Sequence, residues 1–457
     1  MIIFTLIAVI LILATAGLLF TPYAILAPLM SIGVMGLLVL YKKPEWGLLG
    51  IIFLVPFEGL FAGAKIFTGS KLIGVALIGV VGIKILLGSF DAKLLRSFFW
   101  VPIVFFIAIY ILGGMLSVAP GVSLNSLRQL FTAVLIFAVS LVLVPRLDYR
   151  LLMRVFAVSV CISAFFALIT GSATSLEERT AGLATDPNYF ALLLCVAMPM
   201  SFYLMVNDKH FFLKLVWSLA ILILLVALMK SFSRAAFLIL GMIFLLGVMH
   251  HRDRLRHLQP RHFGWLLLTI AIGLPVFFVV VPEEYVDRIL SLTNIGAGAS
   301  EDRSLGRRTS YIVVGLDTLK AHPLIGTGPG TFPIYFANTG FASAFSFSSS
   351  DPELYRRAHN TYLEVLSETG ILGFLMFITI VGIGLRNFYV ARQRFALNNQ
   401  LQAYEITSHF ALSFLALCMF LLFLSATNHK YLWLLLAVSH VLRSVSEDKE
   451  YKIIPNN

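Results

Sequence analysis

Charged side chains are scarce in this chain, and so is cysteine. Only 12% of its 457 residues are charged, against about a quarter in soluble domains, and its mean hydropathy is +0.92. This composition excludes a soluble enzyme and a disordered chain. The three cysteines, Cys161, Cys195 and Cys418, all lie in apolar runs, so neither a secreted disulfide scaffold nor a zinc site built from cysteines is indicated.

The chain has instead many apolar runs near the 20 or so residues that cross a bilayer. They predict an all-α, polytopic integral membrane protein with twelve to fourteen transmembrane helices and one long outer loop that contains short helices. The first run, MIIFTLIAVI, has no basic region before it and is interpreted as a retained helix, not a signal peptide. The predicted spans are 2–20, 23–41, 47–61, 72–89, 97–116, 124–144, 151–171, 188–206, 212–229, 235–249, 264–282, 361–385, 407–425 and 430–446.

The basic residues fall mainly on alternate loops. One set of loops, with the C-terminal tail, carries 19 Lys and Arg, whereas the opposite short loops and span ends carry 7. Because cytoplasmic loops are enriched in Lys and Arg, both termini are predicted to be cytoplasmic. The basic run 250–262 is interpreted as an anchor on anionic lipid. Topology therefore accounts for most of the net charge of +11, and no nucleic acid partner is expected.

One loop, 283–360, is much longer than the others and lies on the predicted outer side. Loops of this length are usually functional, and this one is nearly neutral, with seven Lys and Arg against eight Asp and Glu. Within it, residues 309–321 place Ile312, Leu316 and Leu319 on one helical face, which predicts an interfacial helix. The predicted organisation is transmembrane helices in 1–282, a loop with catalytic elements in 283–360, transmembrane helices in 361–446 and a cytoplasmic tail in 447–457.

Three arginines stand out on the outer side. Arg234, in KSFSRAAF, lies at the boundary of two spans, where an arginine usually faces a cavity or a partner; the alternative is a snorkelling residue at a hairpin. Arg307 and Arg308, in SLGRRTSY, form an adjacent pair that suits a phosphate or carboxylate. Their alternative is a pair of solvated loop charges.

Two further motifs follow in the long loop. HPLIGTGPGTF (322–332) carries Gly328 and Gly330, whose backbone N–H groups can approach an anion closely, although ordinary turns use the same residues. AHNTYLEVLSETGILG (358–373) begins the next span, so His359 is expected at the start of a helix, where it is either a general base or a structural residue. Glu364 either orients a reacting group or caps that helix.

A second outer loop, LEERTAGLATDPNYFA (176–191), contains Arg179 and Asp186 among other charged residues. Its carboxylates allow a metal site, but no spacing demands one. The sequence contains neither a P-loop nor a dinucleotide fingerprint. The donor of any reaction is therefore not expected to be a nucleotide.

In combination and in this order, TDPNYFA, SFSRAAF, GRRTSY, HPLIGTGPGTF and AHNTYLEVLSETGILG resemble the O-antigen ligase and polymerase superfamily over roughly 180–375. The resemblance implies a metal-independent glycosyltransferase without cofactors, multi-pass in the bacterial inner membrane, with its active site in the periplasm. The donor would be a glycan on undecaprenyl diphosphate. The acceptor would be the lipid A core in a ligase, or a lipid-linked glycan in a polymerase, and ligase is slightly preferred.

The same resemblance assigns roles to individual residues. The family arginines fall on Arg234 and on Arg307 or Arg308, and the family histidine falls on His359 as general base. We expect Asn360, Glu364, Arg179, Asp186, Gly328 and Gly330 to bind substrate. A single base acting in a direct displacement predicts inversion at the anomeric carbon.

Two other classes of protein stay open. A flippase or transporter for lipid-linked oligosaccharides would also be polytopic and basic, but it should carry charges along a path within several spans. Here the main candidates for such charges are Glu58 and Lys84. A scaffolding subunit of a polysaccharide export complex would not need the outer histidine and arginines.

Overall fold

The computed structural model describes residues 27–61, 69–170, 180–184, 186–250, 303–345 and 354–447, with a few residues between 9 and 20. Within these residues the chain is α-helical and contains no strand, which confirms the predicted all-α class. The helices are α1 Ala27–Lys42, α2 Pro44–Leu54, α3 Gly69–Leu86, α4 Trp100–Met115, α5 Pro120–Leu143, α6 Tyr149–Thr170, α7 Pro187–Asn207, α8 Phe211–Lys230, α9 Arg234–His250, α10 Arg303–Ala321, α11 Phe332–Ala337, α12 Gly340–Phe345, α13 Thr361–Leu397, α14 Leu401–Phe420 and α15 Lys430–Glu447.

Seven helices of the described part are long and apolar enough to cross a membrane: α3, α5 to α8, α13 and α14. Shorter apolar helices cover Gly33–Lys42, α4 and α9. The predicted spans 264–282 and, for the most part, 2–20 lie outside the described residues, so the count of twelve to fourteen spans stays a prediction.

Three predicted spans differ most from the helices of the described residues. The span at 47–61 divides into α2 and a 3₁₀ helix, Val55–Phe61, where Pro56 has no N–H to continue an α-helix. The span at 407–425 becomes α14, which starts and ends earlier. The span at 361–385 continues to Leu397, because basic residues do not interrupt a helix.

The centre of the bundle is α7, which packs against α6, α8, α9 and α14. Most of its residues are buried, including Phe190, Leu194 and Tyr203. A second group forms around α13, which packs against α4, α14 and α15. Large apolar side chains on α3, α4, α8 and α9 point outward instead, for example Val75, Val101 and Phe244, as expected where lipid surrounds the bundle.

A helix is present at the predicted 309–321, as the longer α10; its position at the membrane interface stays a prediction. Ile312 and Leu316 are exposed, which suits contact with lipid. On its other side Tyr311 and Val314 pack with Phe332 and Phe336 of α11 in a small apolar cluster. This second apolar face fixes α10 to the segment that follows it, and so it fixes the position of the arginines on α10.

Candidate active site

The polar motifs of the sequence come together at one end of the bundle, where α7, α9, α13 and α15 begin and α8 and α14 end. We call this the site end. Its first element is the start of α7, where Asp186 accepts hydrogen bonds from the amides of Asn188 (2.8 Å) and Tyr189 (2.9 Å). Asp186 is thus the N-cap of α7, with Pro187 in the first turn.

The turn between α8 and α9 is fastened to the start of α7. Phe232 has a positive φ of 51°, which closes the turn, and Ser231 Oγ donates to the carbonyl of Leu228 at 2.6 Å. Ser233 Oγ donates to Asn188 Oδ1 at 3.1 Å. Arg234 follows as the first residue of α9, so the SRAA and DPN motifs form one structural unit.

His359 lies directly before α13, with a left-handed φ of 47°. Its ring centroid is 6.1 Å from that of Tyr311 on α10. Burial lowers the pKa of His359, and the positive charges of Arg356 and Arg308 also lower it, while the carboxylates of Asp186 and Glu364 act in the opposite direction. The imidazole is therefore neutral at pH 7, which is the form that accepts a proton.

The same electrostatics distinguish the two adjacent arginines of α10. Neighbouring residues of an α-helix point about 100° apart, so both side chains cannot face one group equally. Arg308 acts on the pKa of His359, and its guanidinium carbon lies 5.5 Å from the ring centroid of Phe423 in the α14–α15 connection. Arg308 is therefore the residue of this pair for which the structure describes an action on His359.

A second arginine pair, Arg356 and Arg357, immediately precedes the AHN motif and was missed by sequence reasoning. Arg356 acts on the pKa of His359, and Arg357 forms an ion pair with the buried carboxylate of Glu364. This carboxylate raises the pKa of Arg357 and also accepts a hydrogen bond from Ser425. The available signal was the doubled arginine beside the histidine motif, which repeats the pattern at Arg307 and Arg308.

Asn360 has a structural partner in the protein itself. Its Oδ1 accepts the amide of Leu363 at 3.1 Å, which makes it the N-cap of α13. Glu364 does not cap the helix with its side chain, since its carboxylate is held by Arg357 and Ser425. Glu364 is only 2% exposed and so acts as a fixed negative charge under the site.

The two glycine amides that were expected to face an anion are engaged by the protein. The N–H of Gly330 donates to Glu368 Oε2 at 2.7 Å, and the N–H of Gly328 donates to the carbonyl of Glu368 at 2.9 Å. Phe332 N–H donates to Glu368 Oε1 at 3.0 Å. The glycine segment is thus fastened to α13, next to the kink at Gly370 (φ 63°), and we correct the expected role from anion binding to packing.

Glycine is required at these positions for a structural reason. Gly328 and Gly330 have φ values of 103° and 81°, and a Cβ on Gly330 would lie 2.3 Å from Ser126 Oγ of α5. A side chain would therefore be strained twice, by the backbone conformation and by the close approach.

The connection between α14 and α15 closes the other side of the site. Thr361 Oγ1 donates to the carbonyl of Leu424 (2.5 Å) and accepts the amide of Ala426 (2.9 Å). His429 stacks near Tyr189, with ring centroids 4.9 Å apart. Burial, with the charge of Lys430, lowers the pKa of His429 to about 3, so this histidine stays neutral at any physiological pH.

Glu58 and Lys84, the candidates for charges along a transport path, both lie at ends of the bundle. Glu58 is paired with Lys430 and accepts a hydrogen bond from Ser70 Oγ at 3.0 Å, at the site end. Lys84, in the last turn of α3, lies 4.8 Å from the ring centroid of Tyr41 and 5.1 Å from that of Phe90. Arg179 lies outside the described residues.

Comparison with known families identifies part of this chain. A family model described as O-antigen ligase matches residues 219–378. The match begins inside α8, ends inside α13 and contains Arg234, Arg308 and His359. This match confirms the resemblance to the O-antigen ligase and polymerase superfamily. Comparison with curated proteins gave no match. Asp186 and the α14–α15 connection lie outside the matched residues, although they complete the site in space.

Proposed function

We propose that this protein transfers a glycan from undecaprenyl diphosphate to an acceptor hydroxyl on the periplasmic face of the inner membrane, in the manner of an O-antigen ligase with the lipid A core as acceptor. The family match supports a membrane glycosyltransferase of the ligase or polymerase type. The observation that carries the proposal is the position of His359 at the site end, before α13 and beside Tyr311, where arginines and carboxylates act on it.

The proposed reaction is a direct displacement. The acceptor oxygen attacks the anomeric carbon while the bond from that carbon to the diphosphate oxygen breaks, and the bonding electrons leave with the diphosphate. The hydroxyl proton passes to the ring of His359. Because one face of the sugar is attacked as the other loses its leaving group, the configuration inverts.

Arginines are proposed to take up the charge that develops on the diphosphate. Arg308 and Arg356 both act electrostatically on His359, so a leaving group beside the base lies within their reach. A preorganised donor to a developing oxyanion contributes about 3 kcal/mol. Arg234 is the third candidate, and the hydrogen bond from Ser233 to Asn188 joins its turn to the start of α7. Arg357 is not a candidate, because its guanidinium is paired with Glu364.

The carboxylates have a different role in this proposal. Asp186 caps α7 through two backbone amides and faces His359, while Glu364 supports it from below. Both stabilise the imidazolium that forms when His359 has taken the proton. Diphosphate is already a good leaving group, so the scheme needs no general acid.

A polymerase that extends a lipid-linked glycan uses the same site and remains the alternative within the superfamily. A flippase is the alternative of another class. The positions of Glu58 and Lys84 at bundle ends favour the transferase, since a transport path needs ionisable residues within the spans.

The test uses cells that lack this protein and carry the wild type, His359→Ala or His322→Ala. His322 is an exposed histidine in the same loop and serves as the matched control. Gels of total and lipid-linked glycan are compared after expression and membrane insertion have been verified.

For a ligase, His359→Ala cells accumulate long chains on the carrier and leave the final acceptor bare, while His322→Ala behaves as wild type. Single repeat units on the carrier identify a polymerase instead. If His359→Ala supports the same glycan pattern as wild type, the proposed catalysis is wrong. Retention of the anomeric configuration in the product linkage overturns the displacement mechanism.

A further inference from the structure

A second polar cluster lies at the end of the bundle opposite to the candidate active site. There the last residue of α9, His250, meets the first half of α14. His250 Nε2 lies 3.1 Å from Glu405 Oε2, and His409 Nδ1 lies 3.9 Å from the same oxygen. One ligand atom from each of the three side chains lies within 4.8 Å of the other two. The proposed transfer reaction uses none of these residues.

The residue types and their spacing suit a transition metal. Glu405 and His409 are four residues apart and therefore share a face of α14. Two imidazoles and one carboxylate are a common set of zinc ligands, and two ligand atoms at 2.0–2.1 Å from a tetrahedral zinc lie roughly 3.4 Å apart. The observed 3.1 Å between His250 Nε2 and Glu405 Oε2 is close to that separation. One ligand atom of His409 lies within 4.8 Å of both, so the third ligand is completed by a movement of this side chain.

Burial supports a specific site over a chance surface cluster. The side chains of His250, Glu405 and His409 are only 5%, 12% and 1% exposed. Such residues lose most of their hydration when the protein folds, so they need partners inside it. Because the three side chains already lie next to one another, one metal ion bound among them would be a partner common to all three.

The ring nitrogens that would not bind the metal, Nδ1 of His409 and Nδ1 of His250, have contacts of their own. His409 Nδ1 lies 2.7 Å from the backbone carbonyl of Glu405, so an N–H there leaves the lone pair on Nε2. His250 Nδ1 lies 3.4 Å from both the Tyr404 hydroxyl and Arg392 Nη2. Because an arginine only donates, a metal on Nε2 requires the Nδ1–H to bond to the Tyr404 hydroxyl. Histidines that bind metals usually donate their other N–H to an oxygen in this way.

A cavity of about 490 Å³ adjoins the cluster, and His250, Arg392, Tyr404 and Ser408 lie in its wall. Arg392 is held there by hydrogen bonds from its Nε to Ser408 Oγ (2.8 Å) and from its Nη2 to Tyr404 Oη (3.1 Å). Three protein ligands leave the fourth position of a tetrahedral zinc open. The cavity has room for an anionic fourth ligand, whose charge Arg392 would balance.

We propose that His250, Glu405 and His409 form a binding site for a divalent transition metal, zinc by its ligand set, that joins α9 to α14. The 17 residues of α9 put this site about 24 Å from Arg234, at 1.5 Å per residue. The metal therefore takes no part in glycan transfer. It fixes the far end of the helix that begins with the candidate catalytic arginine.

The test measures metal binding by the purified full-length protein in detergent. The protein is stripped with a chelator, dialysed against Zn²⁺ and analysed for metal by mass spectrometry. Co²⁺ serves as a spectroscopic probe of tetrahedral coordination. We expect one equivalent per chain for wild type, and at least tenfold weaker binding for each of His250→Ala, Glu405→Gln and His409→Ala.

The neighbouring basic run contains three more histidines, His251, His257 and His262, which provide the control. The triple variant His251→Ala/His257→Ala/His262→Ala should bind one equivalent as wild type does. The proposal is overturned if the triple variant loses the metal while the three single variants keep it. It is also overturned if wild type binds no stoichiometric Zn²⁺, a result that does not depend on whether any variant folds.

Discussion

Ser233 Oγ donates a hydrogen bond of 3.1 Å to Asn188 Oδ1, across 45 residues of sequence. This bond joins the turn that carries Arg234 to the helix start that carries Asp186. Both partners lie at the site end, and Ser233 is only 1% exposed. This part-buried hydrogen bond between two neutral side chains therefore helps to fix the position of a candidate catalytic arginine relative to a carboxylate that acts on His359.

We expect Ser233→Ala and Asn188→Ala each to slow glycan transfer several-fold, because either change leaves a polar partner without its bond. The double variant should be little worse than either single one, with a coupling energy of about 1 kcal/mol. Transfer rates of the four proteins, reconstituted with a lipid-linked donor, complete the cycle. Additive effects would mean that the bond does not transmit position between the two motifs.

The two arginines of α10 should differ in their effect on transfer. Arg308→Ala is expected to reduce the rate about a hundredfold or more, since a lost donor to a developing oxyanion costs roughly 3 kcal/mol. Arg307→Ala should have a smaller effect, because Arg308 acts on the pKa of His359 and the helix turns the neighbouring side chain about 100° away from it. The measurement is the transfer rate at saturating donor. An equal loss in both variants contradicts the selection of Arg308.

The pH profile of transfer should show the environment of His359. Its pKa is lowered by burial, so the base stays neutral, and activity holds, as the pH falls to its ordinary value of about 6.5. Arg356→Ala removes a positive charge, raises this pKa and moves the acidic limb to higher pH. Asp186→Asn removes a negative charge, lowers the pKa and moves the limb to lower pH. Rates measured from pH 5 to 8 give the direction, and shifts with the opposite signs exclude His359 as the titrating base.

Gly330→Ala should destabilise the protein by about 1–3 kcal/mol, because it combines a positive φ with a Cβ that would lie 2.3 Å from Ser126 Oγ, which would have to rotate away. Gly340→Ala is the matched control, since a Cβ there meets nothing within 4 Å. Thermal unfolding in detergent compares the two variants. A midpoint for Gly330→Ala equal to that of Gly340→Ala would contradict the packing role assigned to the glycine segment.

Glu368→Gln tests the same contact between the glycine segment and α13, with the change now made on α13. The carboxylate accepts two backbone amides, from Gly330 and Phe332, whereas an amide side chain has one oxygen and would point its NH₂ at a donor. We expect a loss of about 1–3 kcal/mol in stability, with reduced transfer. Glu447→Gln, at the exposed end of α15, is the control: it removes exposed ion pairs with Arg394 and Arg443, which contribute little, so it should unfold nearly as wild type does.

The sequence alone determined the class of the protein and the residues of interest. Hydropathy reports the environment of a whole segment, so the apolar runs predicted an all-α membrane bundle, and the interfacial helix followed from the spacing of Ile312 and Leu316. The predicted ends of the helices were less accurate, as at Pro56 and at the end of α13, because the edge of an apolar run need not be the end of a helix. The motifs pointed to Arg234, His359 and the arginine pair of α10.

Only the tertiary structure decided how those residues meet. Which of two adjacent arginines faces His359 depends on the rotation of α10, and this rotation is set by Tyr311 and Val314 in a cluster with α11. The amides of Gly328 and Gly330 donate to Glu368 because the glycine segment folds back onto α13 next to its kink. The roles of Arg356 and of the α14–α15 connection also depend on contacts between distant segments, which a hydropathy pattern does not contain.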